Sequence, residues 1–218
     1  MNLILIAAPA AGKGTVAQLL HEKYGFIGVS AGELLRGVDP KTELGKKIRQ
    51  IQSEGKLVNN DITNELMKER LSRKDITNGV ILDGYPRTLK QVESLNVMCE
   101  DLELSIDYAI YLNIDFETAL KRTLGRRICP KCKMTYNVLT GFNTPKDGEN
   151  CNYCGVSLDK RNDDTEESLK VRFEFFEKNT MPVVECYKKL GKLIEIDSTK
   201  DIELIMKELE NSLGVNND

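Results

Sequence analysis

The sequence has few aromatic residues, a single histidine and no signal that would direct it into or across a membrane. It contains no tryptophan, and its one histidine, His21, stands in a helical pattern without a partner motif, which predicts a surface residue. No apolar run approaches the length of a transmembrane helix, and the N-terminus lacks the basic region and cleavage site of a signal peptide. We therefore predict a cytoplasmic protein with no membrane partner.

An excess of basic charge is also missing. The 218 residues carry a net charge of −3, and neither an internal repeat nor a low-complexity tract is evident. Proteins that bind nucleic acid along their surface are usually basic, so we predict no nucleic-acid partner and expect any attraction for phosphates to come from locally gathered arginines. With 40% hydrophobic and 30% charged residues, the composition is that of one globular protein with a sizeable core.

The N-terminal stretch predicts a strand, a phosphate-binding loop and a helix. The apolar run at residues 3–6 breaks at Pro9 into a turn of small residues that ends in Gly12-Lys13-Gly14-Thr15. Backbone N–H groups of such a turn and the N-terminus of the helix that follows form an anion site, so the expected ligand is a nucleoside triphosphate. The Walker pattern is incomplete, because its first glycine is Ala7 and Gly14 stands at its hydroxyl position. An ordinary buried strand and helix start remains the alternative for this segment alone.

Short strands and longer helices alternate along most of the chain. Strands are predicted at residues 3–6, 27–29, 79–83, 108–112 and 192–196, and helices at residues 16–24, 60–73, up to 95, 115–124, 165–189 and 202–213. The pattern predicts an α/β fold with a doubly wound parallel sheet and a ligand at the carboxyl ends of the strands. We assign residues 1–29, 59–124 and 164–218 to the core domain, and the polar stretch 30–58 and the cysteine-bearing stretch 125–163 to two insertions.

Four of the six cysteines form two pairs with the spacing of a zinc ribbon. Cys129 and Cys132 are separated by 18 residues from Cys151 and Cys154. Four thiolates close a tetrahedral shell, so the predicted Zn²⁺ is structural; the alternative of two disulfides is disfavoured in the cytoplasm. A ribbon on its own would also fit a nucleic-acid-binding or protein-docking module, although it carries little basic or aromatic surface.

Five motifs, taken in order and with their spacing, resemble the adenylate kinase family in its long-lid, zinc-bearing bacterial form. They are Gly12-Lys13-Gly14-Thr15, Ser30 to Arg36, Asp83 to Thr88 with Gln91, Gly125-Arg126-Arg127, and Arg161 to Asp164 with Arg172. The resemblance covers nearly the whole chain. It implies the P-loop nucleoside monophosphate kinase fold, a monomer, and reversible transfer of the γ-phosphoryl group of ATP to AMP, with Mg²⁺ accompanying ATP and ADP as the product. It also identifies residues 30–58 as the monophosphate-binding insertion and residues 125–163 as the lid.

The resemblance further implies roles for individual residues. ATP would be bound by Ala10, Ala11, Gly12, Lys13, Gly14, Thr15, Arg122, Arg126 and Lys200. AMP would be bound by Ala31, Arg36, Lys56, Val58, Gly84, Arg87, Gln91, Arg161 and Arg172. The catalytic set would be Lys13, Asp83, Arg87, Arg122, Arg126, Arg161 and Arg172. Within these sets Asp83 would order Mg²⁺ through water, Gln91 would read the AMP base, and Asp163 matches an aspartate at the hinge of the lid.

The sequence departs from the family pattern at several positions. Ala31 replaces a usual threonine and is typical of pyrimidine-monophosphate kinases, which leaves UMP and CMP open as alternative acceptors. Ala7 and Ala10 stand where the family has glycine, because the backbone there enters positive φ or approaches a phosphate too closely for a β-carbon. These two methyl groups leave open a nucleotide-binding relative with impaired catalysis.

Overall fold

A parallel five-stranded sheet forms the centre of the computed structural model, which describes residues 1–53, 58–76, 78–141 and 143–215. The strands are β1 (Leu3–Ala7), β2 (Ile27–Ser30), β3 (Val80–Asp83), β4 (Tyr108–Asn113) and, as the last strand in the chain, β7 (Leu193–Asp197). Their order is β2-β3-β1-β4-β7, and every neighbouring pair is parallel. The predicted doubly wound α/β class is confirmed.

Helices pack against this sheet, and its central strands β1, β3 and β4 are largely apolar and buried, as is typical of parallel strands covered on both faces. Leu3, Ile4, Ile81 and Ile110 are completely buried. The helices are α1 (Lys13–Tyr24), α2 (Ala31–Gly37), α3 (Glu43–Ser53), α4 (Asn60–Leu71), α5 (Leu89–Asp101), α6 (Phe116–Gly125), α7 (Glu166–Phe175), α8 (Met181–Lys189) and α9 (Ile202–Leu213). Helix α5 extends to Asp101 rather than ending at residue 95, so the sequence prediction was too short there.

The single long helix predicted at residues 165–189 is wrong in its middle. Helices α7 and α8 are separated by a π-helical turn at Phe176–Thr180. Pro182, in the first turn of α8, has no backbone N–H to donate to the carbonyl group four residues earlier, and its ring crowds that carbonyl group. A local widening of the helix accommodates the proline without breaking the chain direction.

The stretches 30–58 and 125–163 have hydrophobic clusters separate from the core around the sheet. In the first, Leu35 of α2 and Ile48 of α3 pack with Val58. In the second, Tyr136 packs with Cys129 and Cys151. This second stretch also contains an antiparallel pair of strands, β5 (Arg126–Ile128) and β6 (Thr135–Asn137), with Arg127 opposite Tyr136. Among the described residues, no helix is long and apolar enough to cross a membrane.

Candidate functional site

A large cleft opens at the carboxyl ends of the strands, where a doubly wound sheet normally binds its ligand. Its volume is about 1720 Å³. Every predicted nucleotide-site residue that the structure describes lines it: Ala10, Ala11, Gly12, Lys13, Gly14, Thr15, Ala31, Arg36, Val58, Asp83, Gly84, Arg87, Gln91, Arg122, Arg126, Arg161, Arg172 and Lys200. Lys56 lies outside the described residues. The structure thus brings together residues from both insertions and the core, while their individual roles stay predictions.

The loop between β1 and α1 has the geometry of an anion site. Gly12 is the N-cap of α1 with a left-handed φ of 88°, and no side chain caps the helix there. The first-turn N–H groups of α1 therefore remain available to a ligand, and the helix dipole favours a negative one. Lys13 and Asp83 border the same space, with 3.5 Å between Lys13 Nζ and Asp83 Oδ1. Strand register explains this approach, since Asp83 ends β3 directly beside Leu5 of β1.

The two alanines of this loop differ in backbone conformation. Ala10 has a φ of 65°, in the left-handed region that favours glycine. Ala7 ends β1 and is not among the residues with positive φ. Only Ala10 therefore occupies a position where glycine would relieve backbone strain.

Three arginines concentrate positive charge opposite the loop. Arg87 is held by a hydrogen bond of 2.9 Å from its Nε to the carbonyl oxygen of Gly84. Gly84 itself has a φ of +73°, and a β-carbon there would come within 2.8 Å of the Arg87 guanidinium. Burial, with added repulsion from Arg172 and Arg36, lowers the pKa of Arg87. Like charges held together in this way favour an anionic ligand that would neutralise them.

Two neighbouring carboxylates hold arginines at the end of the lid stretch. Asp164 is completely buried and accepts hydrogen bonds from Arg126 through both carboxylate oxygens, one of them at 2.9 Å from Nε. Asp163, more exposed, is ion-paired with Arg172. Sequence reasoning placed Arg126 and Arg172 in the site but did not identify Asp164 as a partner. Nothing in the local pattern distinguishes Asp164 from Asp163, because their difference in burial arises only from the fold.

Lys200 is also engaged by a carboxylate. Its Nζ lies 2.5 Å from Glu208 Oε1, so the ammonium group is directed along α9. The contact predicted between Lys200 and ATP stays a prediction, since a partly exposed ion pair of this kind can open when a ligand binds.

The four predicted zinc ligands converge on one point. The Sγ atoms of Cys129, Cys132, Cys151 and Cys154 all lie within 4.8 Å of one another. Tetrahedral Zn²⁺ with bonds of about 2.3 Å places its sulfur ligands about 3.8 Å apart, and the Sγ atoms of Cys132 and Cys151 are separated by 3.6 Å. None of the cysteines, all of which fall in the described ranges, forms a disulfide. The geometry fits a single tetrahedral metal and disfavours the alternative of two disulfides.

Hydrogen bonds within the cluster favour the thiolate at Cys151, whereas a hydrogen bond with Cys132, together with burial, raises the pKa of Cys154 to about 12. The backbone N–H groups of Cys132 and Cys154 point at the sulfurs of Cys129 and Cys151, each at 3.4 Å. Burial opposes ionisation of Cys151, but hydrogen bonds from the Tyr136 hydroxyl and from backbone N–H groups lower its pKa to about 6. The Tyr136 hydroxyl lies 3.3 Å from Cys151 Sγ. Hydrogen bonds of this kind to the ligand atoms are typical of structural metal sites, because they orient the ligands.

Comparisons with known proteins agree with this geometry. The family model "Adenylate kinase" matches residues 5–192. A protein named adenylate kinase from Fervidobacterium nodosum is 43% identical to the chain, and the alignment covers 98% of both sequences. One from Archaeoglobus fulgidus is 41% identical, and the alignment covers 96% of both. One from Clostridium tetani is 38% identical over the full length of both chains. With matches of this length, and with a cleft lined by every predicted nucleotide-site residue that the structure describes, the chain belongs to the adenylate kinase family.

Proposed function

We propose that the protein transfers the γ-phosphoryl group of ATP to AMP, giving two ADP, in a reversible reaction. The observation that carries the proposal is the shared cleft, in which the phosphate loop, Lys13 and the arginines at positions 36, 87, 122, 126, 161 and 172 meet. Phosphoryl transfer needs in-line placement of donor and acceptor and positive charge around the moving group, and it needs little covalent help from the protein. This set of residues supplies both.

The residues divide into a donor side and an acceptor side. The phosphate loop and the N-terminus of α1 would bind the ATP phosphates, with Lys13 reaching them after leaving Asp83. Arg36 and Arg87 would hold the AMP phosphate, and Gln91 would face the base in the pocket that Ala31 and Val58 line. Arg161 and Arg172 would neutralise charge that develops on the transferring group. Closure of both insertions over the nucleotides would exclude water, which otherwise competes as an acceptor.

The proposed enzyme would use two kinds of metal ion, Mg²⁺ with ATP and Zn²⁺ in the cysteine cluster. The Asp83 carboxylate and the Thr15 hydroxyl border the phosphate loop and offer the oxygen ligands that Mg²⁺ prefers, directly or through water. Bound with ATP, Mg²⁺ would neutralise phosphate charge. The cysteine cluster would hold Zn²⁺, whose complete thiolate shell leaves no position for substrate. Zinc would therefore stabilise the lid without taking part in the chemistry. The cytoplasmic location and the monomeric state stay predictions from the sequence.

The test is a coupled assay of ADP formation from ATP with AMP, UMP, CMP or GMP as acceptor. We expect AMP to give the highest kcat/KM. Replacing Lys13 by alanine should lower kcat with AMP by about a thousandfold, because it removes a charge from the transferring group. Lys90→Ala serves as a matched control, since Lys90 is exposed on α5 and does not line the cleft.

Other outcomes would change the assignment. A higher kcat/KM with UMP or CMP than with AMP would make the protein a pyrimidine-monophosphate kinase, the alternative that Ala31 favours. A wild-type protein no more active than Lys13→Ala would be a nucleotide-binding relative without catalysis. Retention of RNA or DNA on a filter in the absence of nucleotide would support the zinc-ribbon module instead.

A further inference from the structure

Two polar contacts join α4 to α5 near the acceptor side of the cleft, and a third, between Lys68 and Asp101, joins the C-terminal ends of the same helices. Asn60 and Asn64 lie one turn apart on α4, and they face Gln91 and Ser94 on α5. Gln91 Nε2 lies 2.9 Å from Asn60 Oδ1, and Asn64 Nδ2 lies 2.9 Å from Ser94 Oγ. Only the first contact involves a residue that lines the cleft, because Gln91 does so and Asn60, Asn64 and Ser94 do not.

The Gln91 amide is held in one orientation. The side chain is almost fully buried, and its Oε1 accepts a hydrogen bond of 2.7 Å from the backbone N–H of Arg87. A backbone N–H can only donate, so the oxygen of the amide, and not its nitrogen, must face Arg87. The nitrogen then faces Asn60 and can only donate, so Asn60 must present its carbonyl oxygen. Donor and acceptor on Gln91 are therefore not interchangeable.

The hydrogen bonds to Arg87 and Asn60 leave the Gln91 amide with one N–H and one oxygen lone pair for a ligand in the cleft. Because Arg87 faces the oxygen and Asn60 faces the nitrogen, the positions of this free donor and this free acceptor are fixed. Adenine presents an amino donor beside a ring-nitrogen acceptor, whereas a 6-oxopurine presents a carbonyl oxygen where adenine has the amino group. An amide that cannot turn over therefore matches adenine and opposes a 6-oxopurine. Uracil, whose O4 accepts, is opposed in the same way.

We propose that Asn60 is a positioning residue that fixes the Gln91 amide and thereby makes the acceptor site prefer a 6-aminopurine over a 6-oxopurine. This proposal rests on the proposed function, because it concerns the base of the nucleotide that accepts the phosphoryl group. Asn60 is only partly buried, so water would reach the space left by a smaller residue. Water both donates and accepts, and it would replace the hydrogen bond without preserving its direction.

The experiment compares AMP with IMP, which has nearly the same shape but carries an oxo group in place of the amino group. The variants are Asn60→Ala, the conservative Asn60→Asp, which keeps an acceptor facing Gln91, and Ser94→Ala, which removes the neighbouring contact between the same two helices. For Asn60→Ala we expect the ratio of kcat/KM for AMP to that for IMP to fall about fivefold, the factor that one ordinary hydrogen bond is worth. The KM for ATP should not change, and Asn60→Asp and Ser94→Ala should keep the wild-type ratio.

The ratio of kcat/KM for AMP to that for IMP distinguishes positioning of the Gln91 amide by Asn60 from a general structural role of Asn60. If Ser94→Ala lowers the AMP to IMP ratio as much as Asn60→Ala, the contact only holds the helices together and the proposal is overturned. An unchanged ratio in Asn60→Ala overturns it as well. Either result would leave the proposed function intact as long as the wild-type protein phosphorylates AMP. A wild-type protein that does not use AMP would instead overturn the proposed function.

Discussion

Ala10 holds a left-handed backbone conformation that a residue with a β-carbon adopts at a cost. The residue lies between the end of β1 and Gly12, the N-cap of α1, and its φ is 65°. For L-residues the left-handed region costs about 1–2 kcal/mol, chiefly from contact between the β-carbon and the backbone. Ala7, three residues earlier, is part of a strand and has no such strain. The loop thus carries strain at one of the two alanine positions that the sequence distinguishes.

Replacing Ala10 by glycine should raise the free energy of unfolding by about 0.5–1 kcal/mol, since the relief of strain exceeds the added entropy of the unfolded chain. Replacing Ala7 by glycine should lower it by about 0.5–1 kcal/mol, because glycine loses more backbone entropy than alanine when it is fixed in an extended conformation. Urea denaturation of both variants measures the two changes. Shifts of the same sign in both variants would contradict the difference in backbone conformation. We also expect kcat with AMP to stay within about tenfold of wild type in Ala10→Gly, because glycine readily adopts the φ that Ala10 already has and so leaves the loop in place.

At the scale of elements, the two chain segments that connect the lid stretch to the core are tied together by a buried ion pair. Arg126 begins β5 directly after α6, and Asp164 immediately precedes Thr165, the N-cap of α7. Asp164 has no exposed surface and Arg126 has little, so solvent screens their pairing weakly. Asp163, the next residue back, pairs with Arg172 in a more exposed setting, with 38% of its side chain accessible.

This difference in burial predicts different costs for the same substitution. Asp164→Asn should lower the free energy of unfolding by about 2–3 kcal/mol, because it leaves the Arg126 guanidinium largely buried without a counter-charge. Asp163→Asn should lower it by less than about 1 kcal/mol, as is usual for an exposed ion pair. Chemical denaturation of the two variants at the same pH and zinc concentration provides the measurement. Equal losses would show that burial does not govern the strength of these contacts.

The π-helical turn is a second feature at this scale, because it joins the α7–α8 segment to the acceptor side of the cleft. Thr180, the last residue of the turn, donates a hydrogen bond of 3.1 Å from Oγ1 to the carbonyl oxygen of Arg87. Arg172 lies on α7, just before the turn. The segment from α7 to α8 therefore supports two of the arginines that line the cleft. It carries Arg172 itself, and Thr180 holds the backbone of Arg87.

In the molecule as a whole, the lid stretch has its own small core, separate from the one around the sheet. That core is centred on Cys129, Tyr136 and Cys151, and these few residues bury too little apolar surface to be stable on their own. A metal that closes the four thiolates would supply the missing stability, since metal binding contributes directly to the free energy of folding.

We therefore expect Cys132→Ser to reduce bound zinc and to lower Tm by about 10 °C, the shift for a loss of about 3 kcal/mol in a chain of this size. Activity at low temperature should persist, because the metal has no position open to substrate. Cys186→Ser is the matched control, since Cys186 is a free cysteine outside the cluster and its replacement should leave the zinc content unchanged. Zinc content and Tm are measured by atomic absorption and differential scanning calorimetry. An unchanged Tm after loss of the metal would contradict a stabilising role.

The sequence by itself determined the features that depend on neighbours along the chain. The apolar run at residues 3–6 predicts a strand, Gly12-Lys13-Gly14-Thr15 predicts the loop before α1, and the cysteine spacing predicts a ring of four sulfurs. These patterns are informative because turn geometry, helix N-termini and buried strands require particular residues within a few positions. The arginines were identified only through resemblance to a family, since an isolated arginine has no local pattern that separates a ligand from a solvated side chain.

Only the tertiary structure decided how distant residues pair. Nothing near Asp164 in sequence indicates that it is buried against Arg126, 38 residues away, or that Asn60 faces Gln91 across 31 residues. The π-helical turn and the contrast between Ala7 and Ala10 likewise depend on where neighbouring elements place the backbone. The physical reason is that burial and hydrogen-bond partners are properties of packed elements, and two residues with the same local surroundings acquire different energies once the chain has folded.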